Sequence, residues 1–148
     1  MHILQTEVAI HASAERVWSV LTDFGAYPEW NPFLRSVEGS AEVGRRLKVL
    51  AQPVGSRAMR FRPTLLKVEK NRELRWKGTV LLPSLFEGEH YFKLGPHPDG
   101  GVVLEHGELF SGLLVPFLRR SLDGATRQGF IAMNLALKRK VEAGGSGR

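Results

Sequence analysis

The sequence predicts an α+β fold in which a run of antiparallel strands packs against one long carboxy-terminal helix. Three observations carry this prediction. A first strand is followed at once by an amphipathic helix, alternating apolar segments separated by turn residues then continue to residue 111, and from Val115 the apolar spacing becomes helical. The 148 residues are enough for one domain that buries roughly two thirds of its unfolded surface.

The amino-terminal segment predicts one strand followed by one helix. Residues 2–10 alternate polar and apolar side chains, which is typical of a strand with one buried face. In the stretch SAERVWSVLTD, Ser13 is a candidate N-cap. Apolar residues then recur at helical spacing: Val17, Trp18, Val20 and Leu21. We therefore expect a strand that leads directly into an amphipathic helix.

The next segment, DFGAYPEWNPFLRSVEG, is expected to be a compact connector. Pro28 and Pro32 prevent a long regular helix, because neither ring nitrogen can donate a hydrogen bond and each proline restricts the residue before it. Solvent exposure of Tyr27, Trp30 and Phe33 together would leave a large apolar patch in water. We therefore expect a second short helix here, whose aromatic side chains either close the core or face a cavity.

Six further strands are predicted between the connector and the last helix. They are expected at about 34–39, 45–52, 57–69, 72–82, 86–95 and 101–111. The apolar phase changes within the third of these segments, and a bulge near Pro63 would account for the change, because proline leaves a ladder position unpaired.

The carboxy-terminal segment predicts one long helix from Val115 to Glu142. Its interior glycines, Gly124 and Gly129, each cost about 1 kcal/mol relative to alanine. We therefore expect a bulky strand side chain or a ligand to approach the helix backbone at these positions. On this reading residues 1–143 form a single domain, and residues 144–148 form a flexible tail.

Composition narrows the classes of function. The absence of cysteine excludes thiol catalysis, disulfides and cysteine metal sites. The net charge is +6, but the basic residues are spread along the chain and mostly alternate with apolar ones, so we expect no nucleic-acid partner. The amino terminus does not resemble a signal peptide, and no segment approaches the roughly 20 apolar residues of a membrane span. We expect a cytoplasmic protein without stable membrane insertion.

Strand alternation places three ionisable side chains on apolar faces. His90 shares a face with Phe92, and His106 and Glu108 share one with Phe110. Buried groups of this kind must hydrogen-bond one another or water. Three roles stay open: a structural or pocket-lining network, recognition of a polar ligand group with or without acid/base catalysis, and a metal site of two histidines and one carboxylate. We favour the network and expect neither a metal nor a cofactor.

Two further observations concern chemistry. Asn134 on the long helix is either a pocket amide or a tie between helix and sheet. The sequence contains no nucleophile motif, phosphate-binding loop or HExxH motif.

Four stretches carry a family resemblance: VWSVLTDFGAYPEWNPFLRSVEG, LRWKGTVLLPSLFEGEHYFKL, EHGELFSGLL and GFIAMNLALKRKVE. In this order, over nearly the whole chain, they resemble the polyketide cyclase/dehydrase and lipid-transport family of the START/Bet v 1-like superfamily, the SRPBCC or helix-grip proteins. The resemblance implies a curved seven-stranded antiparallel sheet wrapped around the long helix, with two short helices after the first strand. It also implies an apolar cavity between sheet and helix, with its mouth near the connector.

The sequence and the resemblance together predict a carrier or sensor that binds an apolar, lipid-like or aromatic molecule in this cavity. The residues expected to contact the ligand are Trp30, Phe33, Met59, Phe61, Trp76, His90, Phe92, His106, Glu108, Phe110, Phe130, Met133 and Asn134. One alternative is a polyketide cyclase or dehydratase that uses His90, His106 and Glu108, and a weaker one is a protein-interaction module like the chaperone-activating relatives of this fold. We favour the binding protein, since no required catalytic set is present, and expect a monomer or homodimer.

Overall fold

The computed structural model describes residues 1–80, 82 and 84–145, and within them the chain alternates strands and helices in the predicted order. The strands are β1 His2–Ile10, β2 Leu34–Glu38, β3 Lys48–Ala51, β4 Met59–Phe61, β5 Thr64–Glu69, β6 Glu73–Val80, β7 Phe86–Pro96 and β8 Val102–Ser111. The helices are α1 Ala14–Thr22, α2 Tyr27–Trp30, α3 Val115–Ser121 and α4 Arg127–Gly145, with a 3₁₀ turn at Phe24–Ala26 and a π-helical turn at Leu122–Thr126.

The strands form two antiparallel sheets that meet at one corner. Five strands pair in the order β1-β8-β7-β6-β5, and three pair in the order β2-β3-β4. An isolated bridge between Arg46 and Thr64, together with a hydrogen bond from the Leu47 N–H to the Pro63 carbonyl (2.8 Å), joins the two. The α+β helix-grip fold is confirmed. The described residues contain eight strands rather than seven, because the predicted strand 57–69 divides next to Pro63, which has no N–H to continue the ladder.

The core lies between the five-stranded sheet and α4. The helix packs mainly on β1, and its buried face carries Phe130, Met133, Leu137 and Val141, all with essentially no exposed surface. Full burial of one such side chain contributes about 1.5–3 kcal/mol. Helix α1 covers the other side of α4, and the Arg16 guanidinium donates to the carbonyl of Val141 (3.0 Å), which fixes the two helices against each other.

The connector ends its helical turn at an asparagine that directs the chain into β2. Helix α2 is a single turn with Pro28 in its first turn, and Asn31 follows it as the C-cap. The Asn31 Oδ1 atom accepts hydrogen bonds from the backbone N–H groups of Phe33 (3.0 Å) and Leu34 (2.9 Å). This side-chain turn positions Phe33 against the carboxy-terminal helix.

The predicted long helix is interrupted by the π-helical turn. Gly129 behaves as expected, since a Cβ atom there would lie 2.5 Å from Cδ1 of Phe33. At Gly124 the expected bulky side chain is absent: no atom lies within 4 Å of the position of its Cβ, and the residue is part of the π turn. Helix α4 includes Gly144 and Gly145, and the remaining predicted tail, residues 146–148, lies outside the described residues.

None of the helices in the described part of the chain is long and apolar enough to cross a membrane.

Candidate functional site

A cavity of about 280 Å³ lies between the two sheets and the π-helical turn. Its walls are mostly apolar and aromatic. The residues lining it are Phe33, Ala51, Pro53, Met59, Arg60, Phe61, Trp76, Gly78, Thr79, Val80, Phe86, Gly88, Glu108, Phe110, Leu122 and Thr126.

Two glycines leave room for the cavity in the sheet. Gly78 and Gly88 are paired in the β6–β7 ladder, so neither strand projects a side chain of its own at this pair, and the Glu108 carboxylate lies over Gly88. Aromatic rings surround the gap: Trp76 lies on β6, and the rings of Phe86 and Phe110 stack at 5.6 Å. Glycines next to large aromatic residues leave an internal space while the strand pairing stays regular.

A continuous chain of hydrogen bonds runs from the cavity wall into the core. Glu108 Oε1 lies 3.0 Å from His90 Nδ1, and His90 Nε2 lies 2.8 Å from His106 Nε2. On its other side, His106 Nδ1 lies 2.8 Å from Oδ1 of Asn134 on α4. The Asn134 amide donates to Thr6 Oγ1 (2.8 Å), and the Thr6 hydroxyl donates to the backbone carbonyl of His106 (2.8 Å).

The carbonyl at the inner end fixes the direction of every bond in this chain. Because a carbonyl only accepts, Thr6 donates to it, so the Asn134 amide N–H donates to Thr6 and its oxygen accepts from His106 Nδ1. A neutral His106 then accepts at Nε2 from His90 Nε2. The remaining nitrogen, His90 Nδ1, faces Glu108 Oε1, and one proton lies between these two atoms.

His106 is held neutral by its surroundings. Burial lowers its pKa well below the ordinary histidine value, the nearby His90 lowers it further, and the hydrogen bond to Asn134 only partly offsets both effects. Its ring stacks parallel to Phe130 at 4.2 Å and close to parallel with Phe92 at 4.5 Å. The environment therefore favours an uncharged imidazole with a fixed orientation.

Glu108 is the member of the chain that lines the cavity. A Cβ atom on Gly88 would overlap Glu108 Oε2, so the carboxylate lies over a strand position that only glycine leaves open. Glu108 Oε2 makes no hydrogen bond with any described residue, whereas Oε1 is bound to His90. The free oxygen is thus the polar atom best placed to contact a molecule inside the cavity.

The predicted ligand-binding residues fall into three groups. Six of them line the cavity: Phe33, Met59, Phe61, Trp76, Glu108 and Phe110. Six lie behind the wall in the buried core: His90, Phe92, His106, Phe130, Met133 and Asn134. Trp30 is not among the residues that line the cavity; its ring packs on the buried Tyr27 (5.2 Å) at the edge of the core.

Sequence reasoning missed the lining residues Ala51, Pro53, Arg60, Gly78, Thr79, Val80, Phe86, Gly88, Leu122 and Thr126, and the buried Thr6. A signal for two of them was present, since Gly78 and Gly88 fall on the same alternation phase as Trp76 and His90. A glycine on the inward, apolar face of a strand fills no space in the core, and two such glycines therefore indicate a cavity. No group of three or more potential metal ligands is arranged to hold an ion within the described residues.

An antiparallel sheet packed against a long carboxy-terminal helix, with an apolar cavity lined by both sheets and the π-helical turn, is the helix-grip architecture. The chain belongs to the family described as polyketide cyclase/dehydrase and lipid transport, whose model matches residues 1–142. A comparison with curated protein sequences finds no match.

Solved structures share this fold at low sequence identity. Protein MLL2253 from Mesorhizobium loti is 24% identical, with a TM-score of 0.74 over 96% of this chain and 98% of that one. A START superfamily protein from Mycobacterium smegmatis is 21% identical, with a TM-score of 0.71 over 97% and 99%. The di-domain ARO/CYC protein StfQ of the steffimycin biosynthetic pathway is 15% identical, with a TM-score of 0.69 over 99% of this chain and 52% of that one.

Proposed function

We propose that the protein binds a small apolar molecule carrying a hydroxyl group in the cavity, as a carrier or sensor. The observation that supports this most is a carboxylate with one free oxygen, Glu108, set into an otherwise apolar and aromatic wall. Small-molecule sites commonly combine apolar walls with a few placed polar groups, in pockets of roughly 300–1,000 Å³. At about 280 Å³ this cavity suits a ligand near the small end of that range.

Glu108 can accept a hydrogen bond from a ligand hydroxyl, because its Oε2 atom is free while Oε1 is bound to His90. The proton between the two residues lies on the Oε1 side, so Oε2 remains an acceptor whichever residue carries that proton. His106, Asn134 and Thr6 hold the His90 ring in the orientation that keeps it against Oε1.

Tryptophan fluorescence tests the proposal. The chain has three tryptophans, and a Trp18→Phe/Trp30→Phe variant leaves Trp76, in the cavity wall, as the sole reporter. Titration with fatty acids, quinones and flavonoids should give a saturable emission change for at least one class. Glu108→Gln should weaken binding of hydroxyl-bearing ligands and change binding of their fully apolar analogues little. A flat response from folded protein across all three classes would contradict the proposal.

A second candidate is acid/base catalysis of the cyclase or dehydratase type, favoured by the shared proton itself. In this function Glu108 is the residue that contacts the substrate, and His90 exchanges the proton with it. On a matched polycarbonyl substrate, Glu108→Gln should then lower the turnover rate by a factor of roughly 100 or more while affinity falls little. A binding protein instead loses affinity in this variant and has no turnover to lose.

A further inference from the structure

The cavity opens onto a surface that combines exposed apolar side chains with arginines. Met59 and Val80 both line the cavity and are exposed, so they mark its mouth. Around it, exposed apolar residues and arginines lie on three segments, 52–62, 78–86 and 112–122. We call this the mouth surface: Val54, Met59, Val80, Leu82, Leu113, Phe117, Arg57, Arg60, Arg62, Arg119 and Arg120.

Hydrogen bonds hold the apolar members of this surface together. The Leu113 N–H donates to the Ser84 carbonyl (3.0 Å), and the Leu85 N–H donates to the Leu82 carbonyl (3.0 Å). The Val54 N–H donates to the carbonyl of Ala125 in the π turn (3.4 Å). The second and third segments are therefore joined directly, and the first is joined to the π turn that follows the third.

The apolar side chains of the mouth surface are strongly exposed to solvent, and they are concentrated in a small part of the chain. Phe117 is 83% exposed and Leu113 is 71% exposed. Six of the twelve exposed large hydrophobic residues among the described positions belong to the mouth surface, although the three segments hold only about a fifth of the chain. A concentration of this kind marks an interaction surface rather than the scattered exposure normal for a soluble protein.

The charge of the mouth surface has one sign. The three segments contain five arginines and no acidic residue, and none of these arginines makes an ion pair with a described residue. The acidic residues that follow two of the segments are already paired: Glu87 with Lys77 (3.2 Å) and Asp123 with His2 (2.8 Å). The surface is thus complementary to a partner that is both negatively charged and apolar.

We propose that the mouth surface docks on an anionic lipid bilayer, with Leu113 and Phe117 entering the headgroup boundary and the arginines contacting lipid phosphates. Apolar side chains flanked by basic ones are the combination that binds peripherally to anionic membranes. A second copy of this chain fits less well, because two arginine-rich surfaces would repel each other. Docking at the mouth lets an apolar ligand pass between bilayer and cavity without crossing water.

Flotation with lipid vesicles tests the docking directly, using ligand-free protein. Binding should be strong on phosphatidylcholine vesicles containing roughly 30% phosphatidylglycerol and weak on phosphatidylcholine alone. It should fall sharply at about 1 M salt, where the Debye length is about 3 Å. Leu113→Ser/Phe117→Ser should lower the partition coefficient about tenfold or more. Arg119→Gln/Arg120→Gln should lower it roughly 25-fold, at about fivefold for each positive charge removed.

The matched controls are Ile131→Ser and Leu135→Ser, which replace exposed apolar residues (44% and 43% exposed) on α4. They should leave vesicle binding unchanged, and unaltered melting temperatures should show that all variants are folded. The proposal is overturned if wild-type protein does not bind anionic vesicles, or if it binds and the mouth variants behave like the controls. It is also overturned if the apolar variants abolish concentration-dependent dimers in sedimentation while vesicles are ignored. Failure here leaves the ligand titration in solution untouched, so the two proposals fail separately.

Discussion

His106 should make the folded protein lose stability as the pH falls below about 6.5. Burial and the neighbouring His90 lower its pKa in the folded state, so the folded protein keeps this ring neutral. The unfolded chain takes up a proton on the same ring near the ordinary histidine pKa of about 6.5. Stabilisation from this group is therefore fully present above about pH 6.5, and it decreases with acidification until the lowered folded-state pKa is reached.

The size of the effect follows from proton linkage. While the unfolded state binds one more proton than the folded state, the free energy of unfolding falls by about 1.36 kcal/mol per pH unit. Between pH 6.5 and pH 5 this amounts to at most about 2 kcal/mol, against a typical stability of roughly 5–15 kcal/mol. Carboxylates such as Glu142, whose pKa is lowered by hydrogen bonds from the His11 N–H and Lys138, affect stability mainly below about pH 4.5.

Urea denaturation of wild type and His106→Gln at several pH values from about 5 to 7.5 measures this contribution. At pH 7.5 the variant should be less stable by about 1–3 kcal/mol, because His90 and Asn134 lose their buried partner. Between pH 6.5 and 5 the free energy of unfolding of the variant should change less with pH than that of wild type. The difference in slope should correspond to about one fewer proton taken up on unfolding. His11→Gln, at an exposed position, is the control and should retain the wild-type dependence. Equal slopes for His106→Gln and wild type would refute the reasoning.

Two glycine substitutions test the packing around the cavity. Each is compared with a control substitution at a glycine whose Cβ position has no neighbouring atom within 4 Å. Gly129→Leu should lower the free energy of unfolding by about 1–3 kcal/mol, because even its Cβ would lie 2.5 Å from Cδ1 of Phe33. Its control, Gly124→Ala, has no neighbouring atom within 4 Å and should not lower the melting temperature in the same thermal melts. Gly88→Ala should displace the Glu108 carboxylate and weaken ligand binding in the fluorescence titration, whereas Gly95→Ala on the same strand should not. Unchanged melting for the first substitution, or unchanged affinity for the second, would contradict the packing described here.

Regular alternation carried most of what the sequence could predict. It placed His90, His106 and Glu108 on inward faces, and the strand register brings them into one hydrogen-bonded line, with His90 opposite Glu108. Successive side chains in a strand point to opposite faces of the sheet, so the residues that face the core can be identified from the amino-acid sequence alone. Their partner Asn134 depends on how α4 lies across the sheet, and Thr6 depends on the pairing of β1 with β8; no local pattern specifies either.

Residue periodicity could not predict the structure where the backbone departs from regular helix or strand geometry. Trp30 was expected near the cavity, but in a single helical turn after a 3₁₀ turn no periodicity indicates where a ring points, and it packs on Tyr27 instead. The π turn at Leu122–Thr126 likewise has no distinguishing letters, and it explains why Gly124 meets open space. The long apolar stripe predicted a continuous helix, and the extra residue of a π turn becomes visible only in the packed structure.

Among the described residues, the hydrogen-bond chain has one open end, at Glu108. Its inner end is a backbone carbonyl, which neither holds nor passes on a proton, so a proton that entered at Glu108 would have no exit along this chain. It would return through the cavity, to the bound molecule or to water beside it. The proposed acid/base function is therefore restricted to reactions with no net proton uptake by the protein, such as enolisation, ring closure by carbonyl addition, or loss of water.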